Sequence, residues 1–172
     1  MKHQSTRKLT VAALLCAVAV VGSMFSVPVF GSKCAPVQHM VNIVNAVLLG
    51  PWYGVVSAFV ASLLRNLLGL GSPMAFPGSM CGALLCGLVY AKTKKLLPTL
   101  IAEVFGTGVL GGLAAYPVSI LIMGNAAADI AFYAYIVPFL ISTVAGSILA
   151  GVLVFALQKN GALQGMKTAL ER

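Results

Sequence analysis

Gln38, Asn42 and Asn45 recur at i, i+4 and i+7, so on a helix they make one polar stripe with His39 at its edge. Arg65 and Asn66 stand near the end of the next apolar run. A reversal at Gly50-Pro51, between the two runs, folds them into a hairpin and brings Arg65 and Asn66 level with Gln38, His39 and Asn42. Amide, imidazole and guanidinium groups gathered this way suit hydrogen-bonded capture of a small molecule. Bond-making chemistry has little to work with. There is no Walker A sequence, no HExxH, no GxSxG and no paired-carboxylate motif, and Glu103, Asp129 and Glu171 are the only acids. No enzyme activity, metal or cofactor is expected.

The elements that must hold these residues are apolar. The chain has 172 residues, 60% of them hydrophobic and 8% charged, with a mean hydropathy of +1.01. A soluble domain averages about a quarter charged residues, so an integral membrane protein is expected, all-α, as one domain over 1–172. The net charge of +8 does not point to nucleic acid, because the basic residues fall at the ends of apolar runs and are not interleaved with aromatics. Cys16, Cys34, Cys81 and Cys86 have no metal spacing; three lie in apolar runs and Cys34 lies in a loop as a candidate free thiol. The basic start and the apolar run after it resemble a signal peptide, but the run continues to about Phe30 without a small-residue cleavage site, so it reads as a retained helix.

Helices are expected at about 9–30, 37–49, 52–70, 77–90, 97–123 and 132–157, followed by a weakly amphipathic surface tail. Four of them carry small residues four apart, which permit close helix approach: Ala13/Ala17, Ser79/Ala83/Gly87, Thr107/Gly111/Ala115 and Ser142/Gly146/Ala150. Charge decides whether 37–68 is one helix or two. With the break at Gly50-Pro51 there are six spans, and nine of the eleven basic residues (Lys2, Arg7, Lys8, Lys92, Lys94, Lys95, Lys159, Lys167 and Arg172) share the side of both termini. By the positive-inside rule that side is cytoplasmic. Lys33 alone is then in an outer loop, and a five-span arrangement puts the basic loop and tail outside.

This topology gathers Gln38, His39, Asn42, Arg65, Asn66, Phe76, Ser79, Tyr116, Tyr133 and Tyr135 at the outer side as candidate ligand contacts, polar groups within aromatic walls. Trp52 falls on the opposite side. Each residue also has a plainer role. Arg65 could snorkel to headgroups, His39 could satisfy a neighbouring helix, and Tyr133 and Tyr135 could anchor at the interface. Asn45, which is deeper, is assigned an interhelical hydrogen bond. Glu103 is assigned to Lys92, Lys94 or Lys95, or to a partner subunit, and no polar cluster is expected in the inner half.

The segments PVQHMVN, VLLGPWYG, LLRNLLGLG, AFPGSMCGALLCGLVY and EVFGTGVLGG resemble the thiazole-specific membrane subunits of energy-coupling factor (ECF) transporters, the ThiW type. The resemblance runs from the first to the fifth helix and is weaker beyond. It implies a six-helix substrate-capturing S component in a bacterial plasma membrane. Such a subunit works with a transmembrane coupling protein and two cytoplasmic ATPases. Its implied ligand is hydroxyethylthiazole, the thiazole precursor of thiamin, and its implied docking face for the coupling protein is Ala13/Ala17. Metal-binding relatives carry histidine after the initiator methionine; residue 2 here is lysine. An S component for thiamin or its pyrimidine precursor, and a non-transport membrane assembly protein, remain alternatives.

Overall fold

In the computed structural model, which describes residues 2–29, 32–127 and 129–171, the bundle is built around a short buried helix. The helices are α1 (Lys2–Gly22), α2 (Pro36–Leu48), α3 (Pro51–Leu67), α4 (Ala75–Thr93), α5 (Leu96–Leu121), α6 (Ile136–Lys159) and α7 (Ala162–Glu171). α2 has 13 residues and buries Gln38, His39 and the whole stretch from Val41 to Val47. A helix of that length rises about 20 Å, short of the ~30 Å hydrocarbon layer. It can be short because neighbouring helices, not lipid, surround it. α1, α4, α5 and α6 are long and apolar enough to cross a membrane.

The helix faces are inverted relative to those of a soluble protein. α3 buries Gly54, Ser57, Ala58, Ala61, Ser62 and Arg65, while Val56 is 62% and Leu67 74% exposed on its outer side. Small and polar residues pack between helices and large aliphatic ones face outward, as expected where lipid is the solvent. Three of the small-residue stripes lie at such contacts. Gly87 sits against Pro51, where an added Cβ would come within 2.5 Å of the proline Cα. Gly111 faces Gly78 at 2.6 Å on the same measure, and Gly146 is pressed onto the Pro36 carbonyl. On the fourth stripe, Ala13 and Ala17 are exposed.

The break at Gly50-Pro51 is present: Gly50 adopts φ 90°, a left-handed value natural to glycine, and Pro51 opens α3 at a first-turn position that needs no N–H donor. Two expectations fail. The first helix ends at Gly22, not near Phe30; a short 3₁₀ turn and an antiparallel pair, β1 (Val27–Val29) with β2 (Ser32–Cys34), follow. Pro28 disfavours helix at Val27, and the flanking valines suit a strand. The expected end at Phe30 and Gly31 lies outside the described residues, as does Arg172. The second failure is the tail, which forms a seventh helix that buries Leu163 and Leu170. Lys167 donates from Nζ to the Tyr90 hydroxyl at 2.6 Å, and Arg7 donates to the Ala169 carbonyl at 3.1 Å. The first turns of α1, the α4–α5 connection and α7 therefore meet at one end of the bundle. The β-hairpin and the α3–α4 turn meet at the other, tied by a 3.0 Å hydrogen bond from Lys33 Nζ to the Gly69 carbonyl.

α5 holds the least regular segment. Its residues Val104–Gly111 form a π-helix, flanked by α-helical turns on both sides. π segments recur at functional sites because the wider turn redirects side chains. Gly106 and Gly111 let this widened stretch wedge against α4, and Gly108 and Gly112 let it wedge against α6.

Candidate functional site

Glu103, fully buried at the last α-helical turn before the π segment, is the centre of a polar network. Its Oε1 accepts from Asn42 Nδ2 at 3.1 Å and from Thr107 Oγ1 at 2.9 Å, and it lies 3.1 Å from His39 Nδ1. An ionised carboxylate only accepts, so Nδ1 carries the proton when Glu103 is charged. Asn42 donates its second amide hydrogen to the Ser79 carbonyl at 3.1 Å and accepts from Gln38 Nε2 at 3.2 Å. One asparagine thus joins α2, α4 and α5.

Glu103 is not paired with Lys92, Lys94 or Lys95; it joins the polar corner of His39 and Asn42 instead. It stands two turns into α5, about 10 Å above the basic connection, and it faces Gly82, well inside α4. Asn45 does make the interhelical bond assigned to it, from Nδ2 to Ser57 Oγ at 3.3 Å.

Next to this network lies a cavity of about 40 Å³. Gln38, His39, Arg65 and Ser79 line it, as the spacing argument placed them. Lys33, Thr107, Phe139 and Ser142 also line it and had not been singled out as ligand contacts. A signal for two of these was available: Thr107 and Ser142, like Ser79, are the hydroxyl-bearing first members of the small-residue stripes. Phe139 lies over Gly78, where a Cβ would come within 2.7 Å of its ring. Ser142 Oγ accepts from the Ala35 amide at 2.9 Å, and Ser79 Oγ lies 2.9 Å from Ser62 Oγ. The walls thus come from α2 to α6, with the β-hairpin above.

The other candidates stand apart from this cavity. Asn66 spends its amide on the Ser62 and Ser72 carbonyls, at 2.8 and 3.1 Å, bracing the α3–α4 turn. Phe76 stacks on Phe59, with ring centroids 5.5 Å apart. Tyr135 is buried with its hydroxyl 2.7 Å from Ser119 Oγ, Tyr133 is 57% exposed, and Tyr116 is half-buried on α5. Arg65 does not snorkel: it is only 3% exposed. Cys34 is a free thiol as expected, but it lies buried in β2, not in a loop, donating to the Pro138 carbonyl at 3.3 Å, and burial raises its pKa. Among the described residues no group of three or more His, Cys, Asp or Glu side chains could hold a metal ion.

No solved structure matches the chain. A stretch of 111 residues is 27% identical to the sensor histidine kinase YpdA of Escherichia coli (strain K12), covering 64% of this chain. The chain spans only 19% of that protein's length, and the likeness carries no function across. A family model described as "Thiamine-precursor transporter protein (ThiW)" matches residues 9–160. That range contains the hairpin, all of α2 to α5, every residue of the network around Glu103 and every residue that lines the cavity, and the chain belongs to the ThiW family of thiamine-precursor transporters.

Proposed function

We propose that this protein is the substrate-capturing S component of an ECF transporter and that it takes up hydroxyethylthiazole through the cavity under the β-hairpin. The observation that carries the reading is the cavity itself, where polar groups converge from α2 to α6 beside an aromatic wall, Phe139. A small aromatic ring with one nitrogen and one hydroxyl requires that combination. Gln38, His39, Ser79, Thr107 and Ser142 supply the polar contacts, with Asn42 setting the direction of Gln38. Both chain ends are cytoplasmic and the cavity opens outward, supported by the basic residues gathered at the α1, α4–α5 and α7 end. Energy comes from a coupling protein and two ATPases, since this chain has no nucleotide-binding sequence.

Calorimetry with the purified chain tests the ligand. Hydroxyethylthiazole should bind, and Gln38→Ala should weaken it by about 0.5–1.5 kcal/mol, the worth of one hydrogen bond. His39→Ala and Asn42→Ala should weaken it too while also lowering the melting temperature, because both hold Glu103. A folded protein that ignores the thiazole would refute the ligand assignment.

The docking surface has its own support. Among the four small-residue stripes, only Ala13/Ala17 is exposed in the single chain. Ala13→Leu or Ala17→Leu should abolish uptake in cells that supply the coupling protein and ATPases, with thiazole affinity unchanged. Normal uptake by the Ala13→Leu, Ala17→Leu double variant would move the docking face elsewhere.

A further inference from the structure

Arg65 lines the cavity at 3% exposure, yet among the described residues nothing accepts a hydrogen bond from its guanidinium and no carboxylate pairs with it. An unpaired charge held away from water inside a membrane protein is costly and marks a functional group. The three acids do not supply a counter-charge. Glu103 directs Oε1 to His39, Asn42 and Thr107; its Oε2 is buried without a partner and makes no ion pair with Arg65. Asp129 lies exposed in the α5–α6 connection and Glu171 at the opposite end of the bundle. A second cation, Lys33, lines the same cavity, and its one hydrogen bond goes to a backbone carbonyl. Gln38 Oε1 is also buried without a donor. The cavity therefore presents two cations, no balancing anion, and one acceptor in need of a donor.

We propose that Arg65 and Lys33 form an anion subsite beside the thiazole contacts, so that a precursor carrying a phosphate ester or a carboxylate places that group on the planar fork of Arg65 with Lys33 beside it, while a donor on the same ligand meets Gln38. The aromatic part of that ligand rests on the thiazole reading above; the anion subsite does not. A neutral alcohol would leave the guanidinium with at most one partner, whereas a carboxylate or phosphate engages it bidentately. The burial of Arg65 favours a free ligand over a lipid headgroup as the source of the anion.

The experiment uses the full chain in non-ionic detergent, where no lipid phosphate competes, with Arg65→Gln and Arg65→Lys alongside. By calorimetry the phosphate monoester of hydroxyethylthiazole should bind the wild type at least about tenfold more tightly than the alcohol, the margin of a charge-assisted pair. Arg65→Gln should erase that difference and Arg65→Lys should keep part of it. In a separate arm, inorganic phosphate or acetate at fixed ionic strength should raise the melting temperature of the wild type but not of Arg65→Gln. The more effective of the two identifies the headgroup. Without ligand, Arg65→Gln should melt at or above the wild type, because it removes an uncompensated charge.

A phosphate ester no tighter than the alcohol, with no anion-dependent stabilisation, would overturn the proposal and leave the thiazole reading standing. A clear drop in the melting temperature of ligand-free Arg65→Gln would also overturn it, by giving Arg65 a structural task. Stabilisation by anions without binding of either thiazole would do the reverse, keeping the subsite and removing the thiazole.

Discussion

Glu103→Ala should destabilise the protein by about 3–5 kcal/mol, the cost of removing the shared acceptor from a buried polar network. The side chain is fully buried, and His39, Asn42 and Thr107 all direct a polar atom at its Oε1. Truncation leaves these buried groups without their shared acceptor. It also detaches the wide π segment from α2, so thiazole binding should disappear with the stability. Glu103→Gln keeps the volume and one acceptor, and should cost less, about 1–3 kcal/mol for a polar atom left without its partner. Thermal melting in detergent distinguishes the two. Near-wild-type stability of Glu103→Ala would show that the network carries little of the fold.

The second large effect is steric. A methyl group at Gly82 would come within 2.6 Å of Glu103 Oε2 and would collide with Thr107 Oγ1. Moving the Thr107 hydroxyl aside breaks its 2.9 Å bond to Glu103 Oε1, and Glu103 Oε2 must shift as well. Gly82→Ala should therefore cost upwards of ~3 kcal/mol, at the high end for overpacking. Gly54→Ala is the control. Its nearest neighbours would be 3.8 Å away, an ordinary contact, so the gain in helix propensity should dominate by about 0.5–1 kcal/mol. Expression and melting of the two variants should move in opposite directions. A stable Gly82→Ala protein would mean that α4 and α5 are not in this register.

The residues legible in advance were those whose signal is local. The Gly50-Pro51 break and the hydroxyl-led stripes are spacing patterns, and spacing determines which groups share a helix face. Gln38, His39, Arg65 and Ser79 reached one cavity because an antiparallel hairpin and a short turn leave little freedom in register. Glu103 was misplaced because proximity in sequence to Lys92, Lys94 and Lys95 outweighed depth; a helix carries a side chain away from its flanking loop at ~1.5 Å per residue. The aromatic positions failed differently. Tyrosines near helix ends look alike whether they face a pocket, lipid or another helix, and the aromatic that lines the cavity is Phe139. The β-hairpin was hidden by a run of apolar residues too short for periodicity to separate strand from helix.

The size of the cavity has a kinetic meaning. Functional ligand sites enclose about 300–1,000 Å³, and the space beside Arg65 is about 40 Å³, enough for little more than water. If the proposed ligand binds here, α2 to α6 must part to admit it, and the receptive state is then a minority in equilibrium with the closed one. Apparent affinity is then the intrinsic affinity scaled by that minority fraction. Substitutions that touch no ligand atom, including those that release the Lys33–Gly69 tie, would tighten binding simply by making the open population more common. On that reading, selectivity among precursors resides in the contacts, while the concentration at which capture starts is set by how readily the Lys33–Gly69 tie and the helices around the cavity part.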